Sequence, residues 1–135
     1  NHLLNEFRKS EYPLLIFDEK NQITAESKEE GIMGLLNIYE NNPKALKGKY
    51  LADKIIGKAV AVICELGGIE GCCTPLISEG AAELLDKEGI KYLADKKVDY
   101  IRNRNNTGLC PMEKIALNSS SSKEALEKIR DFIQE

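Results

Sequence analysis

The chain is almost without histidine, and that scarcity limits its chemistry more than any residue it contains. His2 is the one imidazole in 135 residues. General-base catalysis by histidine and histidine-rich metal sites therefore have little material to build on. Tryptophan is absent, and the aromatic residues are five Tyr and three Phe. None is grouped with basic residues, so a stacking platform for single-stranded nucleic acid is not expected. An excess of positive charge is lacking too. The 22 acidic residues outnumber 19 basic ones, giving −3, which offers no bulk attraction to nucleic acid. No apolar run approaches the roughly 18 residues that span a bilayer. The longest candidate, IIGKAVAVICELGGI, carries Lys58 and Glu65. The opening stretch, NHLLNEFRKSEYPLL, lacks the charged-then-apolar layout of a signal peptide. The expectation is a cytoplasmic protein with neither membrane nor nucleic acid as partner.

Cysteine is present but not in a useful pattern. Cys64, Cys72, Cys73 and Cys110 form no C-x2-C pair. Neighbours such as Cys72 and Cys73 point to opposite faces of a strand, which suits no shared tetrahedral metal. They read as buried free thiols, and no metal or cofactor is expected.

What is present describes one ordinary domain, residues 1–135, with 42% hydrophobic and 30% charged residues. HLLNEFRKS has the spacing of a short amphipathic helix. YPLLIFD and ITAES around EKNQ read as a hairpin. GIMGLLNIYENNP is helical, and ALKGKYLA is a loop with a short extended piece. DKIIGKAVAVICELGGI reads as a helix capped by Asp53 and stopped by Gly67 or Gly68. It is apolar around most of its circumference and so expected to be buried. IEGCCTPLIS reads as a strand, with Pro75 suited to an edge or bulge. Ser78 caps the helix EGAAELLDKEG. IKYLADKKVDYIRN is one interrupted strand or two, and SSSSKEALEKIRDFIQE is a helix with Ser121 and Glu124 as a capping box. No internal repeat is evident. This order predicts an α/β fold, a three-layer α/β/α sandwich on a mixed sheet.

Two segments carry the candidate chemistry. In NRNNTGLCPMEKIAL, Cys110 stands where a helix would begin, with Pro111 at its first position and Glu113 at its third. The loop and cap alone account for these residues. A ligand-binding loop is the sharper reading, because Arg102 and Arg104 lead into a helix start whose free amides favour an anion. A reactive thiol at Cys110 is the third. In DKIIGKAVA, Lys54 and Lys58 are four apart and share a face if helical. Lys54 then sits where the helix dipole disfavours a cation, as a residue meeting an anion would. Solvated surface lysines are the plainer account. The spacing G-x4-G-K-S/T of a P-loop is absent. Gly57, costly inside a helix, implies close approach of a neighbouring element or a ligand.

DKIIGKAVA (53–61) and NRNNTGLCPME (103–113), within a stretch from Tyr12 to Leu117, resemble an uncharacterised family of small prokaryotic proteins. The resemblance implies a cytidine-deaminase-like fold. It does not imply the zinc chemistry of that superfamily. Those enzymes carry H-x-E or C-x-E at one helix start and P-C-x-x-C at the next. Here Ala52, Asp53, Lys54 and Ile55 stand at the first, and Ser78, Glu79, Gly80 and Ala81 at the second. The leading expectation is a ligand-binding or regulatory domain without zinc. It would bind a small anionic or nucleotide-like ligand through Asp53, Lys54, Lys58, Arg102 and Arg104. An enzyme of unrecognised class, with Cys110 and Glu113 as its catalytic candidates, is the alternative. A structural or homo-oligomerising module is the third reading.

Overall fold

The structure is a computed structural model that describes residues 2–29, 31–103, 105 and 108–134. Twelve elements follow in order among the described residues. The first five are α1 (His2–Lys9), β1 (Leu14–Phe17), β2 (Ile23–Ser27), α2 (Met33–Asn41) and β3 (Tyr50–Asp53). The next three are β4 (Ile55–Ile56), α3 (Lys58–Gly67) and β5 (Gly71–Ser78). The last four are α4 (Glu79–Lys87), β6 (Lys91–Val98), α5 (Pro111–Leu117) and α6 (Ser122–Gln134).

The six strands make one mixed sheet. β1 pairs antiparallel with β2 on one side and β3 on the other. β5 is central and parallel to β3, β4 and β6. Alternation along β1 divides the core between the two faces. Leu14 and Ile16 join the larger cluster, which α2 to α6 cover. Leu15 and Phe17 join a smaller one under Leu4 and Phe7 of α1. Helices therefore lie on both faces of the sheet. Cys72 and Cys73 divide the same way, one to each cluster, as adjacent strand residues should.

The long apolar stretch from Asp53 to Ile69 is not one helix, which corrects the sequence reading. Asp53 ends a strand and caps nothing. Two further strand residues, Ile55 and Ile56, precede the helix, and Gly57 is its N-cap. The periodicity misled because Ile55 and Ile56 are as apolar as the helix after them. Gly68, in the left-handed region at φ 75°, ends α3 as anticipated. Ala59 to Cys64 are all buried, so α3 is the central helix of its layer.

Pro75 stands within the central strand, not at an edge. Ala52 faces Cys73 and Ile55 faces Leu76, the same 21-residue offset. That offset sets Lys54 against Pro75, at the break between β3 and β4. A proline without an N–H leaves one rung of the ladder empty. The break also resets the alternation. Leu51 and Ile56, five residues apart, both enter the larger cluster, as do Cys72 and Ile77. An unbroken strand would send such residues to opposite faces. β6 is a single strand, and the chain between it and α5 folds back through a bridge of Arg102 to Leu109.

Candidate functional site

The parallel strands β4, β5 and β6 end on the same side of the sheet, and a cavity of about 540 Å³ opens there. Its wall includes Pro13, Asp53, Lys54, Ile55, Gly57, Ala59, Val60, Ile101, Arg102, Asn103, Cys110 and Glu113. That volume lies in the range of small-molecule sites. Two distant candidate segments, the chain around Asp53 and the chain around Cys110, thus form one wall.

Glu113 is what joins them. It is 2% exposed, and both of its oxygens are engaged. Oε1 accepts the Lys58 amide at 2.6 Å and the Ser78 hydroxyl at 3.2 Å. Oε2 accepts the Ile101 amide at 2.7 Å. Ser78 Oγ in turn accepts the Ala81 amide at 3.2 Å, capping α4 as its sequence position implied. One carboxylate therefore ties the start of α3, the start of α4 and the segment after β6 to α5. Gly57 leaves room for it. A Cβ there would lie 3.0 Å from Ile101 Cγ1 and 3.2 Å from Glu113 Oε1. The close approach implied by Gly57 is to this carboxylate and to Ile101.

Asp53 is the opposite case. It is 6% exposed, on the sheet face that Leu51 shares by alternation. Oδ1 accepts a long bond of 3.4 Å from the Ile55 amide. Oδ2 is buried and has no partner. Burial pushes the carboxyl from 3.8 up to about 8, against the downward pull of the Ile55 and Lys54 amides. At neutral pH this group mostly holds its proton.

The helix start above it is open. Glu113 takes the first amide of α3, but Gly57 has no side chain to cap the next ones. Ala59 and Val60 carry those amides and line the cavity. The N-terminal end of a ten-residue helix thus faces the space with its partial positive charge. Lys54 and Arg102, both exposed, add full charges, and neither forms an ion pair among the described residues. Ile101 to Asn103 form a fixed lip: Ile101 O accepts the Cys110 amide, and Gly108 O accepts the Asn103 amide, both at 2.9 Å.

The expected residues are thus sorted. Asp53, Lys54, Arg102, Cys110 and Glu113 share the cavity wall. Arg104 lies outside the described residues. Lys58 is turned away: its side chain packs by Gly80 and lines a different cleft with Glu65. Lys54 and Lys58 do not share a helix face, because Lys54 is not in the helix. Cys110 does take the N-cap position of α5 with Pro111 next, and its thiol is half-buried. The other three thiols are buried. The hydrogen bond with Cys72 and burial push Cys64 up, and burial takes Cys73 to about 11. His2 is on α1 beside Glu6, outside the cavity wall. Among the described residues, no three His, Cys, Asp or Glu side chains converge as a metal set. Sequence reasoning missed the role of Ile101, whose contribution is its backbone. Only the costly glycine at 57 signalled that something had to fit close to α3.

The family model described as "Domain of unknown function (DUF1893)", TM1506, matches residues 2–133. No curated protein matches. Among solved structures, the crystal structure of a DUF1893 family protein (TM1506) from Thermotoga maritima is similar, with a TM-score of 0.86 at 23% identity. The match covers 96% of this chain and 86% of that one. This likeness carries the fold, and no function comes with it.

Proposed function

The chain belongs to the DUF1893 family, and from that premise we propose that it is a small-molecule-binding or regulatory domain whose ligand carries an anionic, nucleotide-like group. The observation that carries this reading is the N-terminus of α3, whose amides beyond the one held by Glu113 have no side-chain cap from Gly57, opening into a cavity that also holds Lys54 and Arg102. Aligned amides and unpaired cations together stabilise a phosphate or carboxylate. The scaffold is read as cytidine-deaminase-like. The parallel order β3–α3–β5–α4–β6 supports this, with the zinc positions vacated. Gly57, Lys58 and Ala59 begin α3, and Ser78, Glu79 and Gly80 begin α4. No histidine or cysteine stands at either start, so metal analysis of the purified protein should find no stoichiometric zinc.

Thermal shift with inorganic phosphate, nucleoside monophosphates and phosphorylated metabolites tests the site. A saturable, salt-sensitive shift is expected, with affinity about tenfold weaker in Lys54→Ala and in Arg102→Ala, the loss of one charge-assisted contact. Absence of any shift, or equal binding by both variants, overturns the reading.

A further inference from the structure

The cavity has two poles, and the anionic group just described uses only one. Lys54, Arg102 and the α3 amides form the positive pole. The two cationic side chains are exposed, so the positive charge extends to the mouth. Asp53 belongs to the same wall but is nine-tenths buried, and its Oδ2 has no hydrogen-bond partner. A buried carboxyl with an unused oxygen costs stability whether it is charged or neutral. Neither neighbouring carboxyl nor thiol relieves it. Glu113 is spent on three donors. Other titratable and charged groups around it are Lys54 on its own segment, Cys64 of α3, Arg102 after β6, and Cys110 at the start of α5. None of these is hydrogen-bonded to Oδ2.

We propose that Asp53 is the inner pole of this site and receives a cationic nitrogen, ammonium or amidinium, of a ligand whose anionic group meets α3. The ligand class is then zwitterionic: a small phosphorylated or carboxylated amine. The inference rests on the anion-site reading and adds the second contact. Oδ2 has no exposed surface in the free protein, so the carboxyl turns toward the cavity to meet the nitrogen, which supplies the N–H donors it lacks and stabilises the carboxylate. Asp53 releases its proton to solvent as the ion pair forms. Because burial holds the free carboxyl at about 8, binding at pH 7 releases on the order of one proton per ligand.

A series of aminoalkyl phosphates of increasing chain length tests this, because the spacing between the poles is scanned rather than assumed. Each is paired with the alkyl phosphate of equal length lacking the amine. Calorimetry in buffers of different ionisation enthalpy gives affinity and protons released together. The expected result is an optimum length at which the amine compound binds at least tenfold tighter than its partner. That compound should release more protons than its partner. Both differences should collapse in Asp53→Asn, with alkyl phosphate binding retained. If amine and non-amine compounds bind alike at every length, the inference fails and the anion site stands. If no phosphate of either series binds, both readings fail. Retention of the amine preference and proton release in Asp53→Asn also overturns the inference, since the cation would be meeting another group.

Discussion

At the scale of single residues, Asp53 and Glu113 show how one chemical group takes opposite roles by neighbourhood. Both are carboxyls within the same cavity wall, and both are buried. Glu113 meets two backbone amides and a hydroxyl, so its burial is compensated. Asp53 has a long bond from the Ile55 amide and an Oδ2 without a partner. The imbalance has a measurable consequence for the free protein. Unfolded, Asp53 titrates near 3.8, and folded near 8. Between those values the folded state holds a proton that the unfolded state has lost, so stability falls as pH rises from about 4 to about 8. Asp53→Asn removes this titration. Urea denaturation at pH 5 and pH 8 should show a larger stability loss in wild type than in the variant. Parallel pH dependence in the two proteins would contradict the assignment. The sequence pointed to Asp53, but as a helix cap and part of an anion site. Its burial was illegible because nothing in DKII distinguishes a strand end from a helix start.

At the scale of elements, the site depends on how three helix starts are tied together. Glu113 reaches α3, α4 and the segment after β6 from the first turn of α5. Glu113→Gln keeps the size but replaces one accepting oxygen with an NH2 that faces a donor. Such a clash of donors in a buried place costs about 2–3 kcal/mol, lowering the melting temperature by roughly 6–10 °C for a domain of this size. Calorimetric melting checks this. A variant within about 2 °C of wild type would mean the carboxylate holds little. Helices and strands with their own punctuation were legible. The 14–27 hairpin, Ser78 as a cap, and Gly68 as a stop all read correctly. The Ser121 hydroxyl accepts the Glu124 amide as a capping box requires, although the Glu124 carboxylate returns to Ser120 instead. What failed was the strand pair interrupted at Lys54 and Pro75. Its interruption depends on two residues 21 apart in sequence that meet only in the sheet.

At the scale of the whole molecule, the cavity sits where ligand sites recur in α/β proteins, beyond the carboxyl ends of parallel strands. The sheet arranges this without any one residue requiring it. β3–β4, β5 and β6 run parallel, their connecting helices α3 and α4 cover one face, and the segment after β6 folds back over the strand ends. Sequence reading paired two segments, 53–58 and 102–113, because each combined basic residues with a helix start, and residues of both line the one cavity. It included Lys58 because its helix began too early by four residues.

The central claim is that an anion binds at the start of α3. Amide chemical shifts recorded while a nucleoside monophosphate or alkyl phosphate is titrated test it most directly, since the amides themselves are the proposed contacts. The account predicts that the largest saturable shifts fall on Ala59 and Val60, with Lys54, Ile101 and Arg102 following at the same midpoint. Shifts that saturate elsewhere in the molecule, leaving Ala59 and Val60 unmoved, would contradict it.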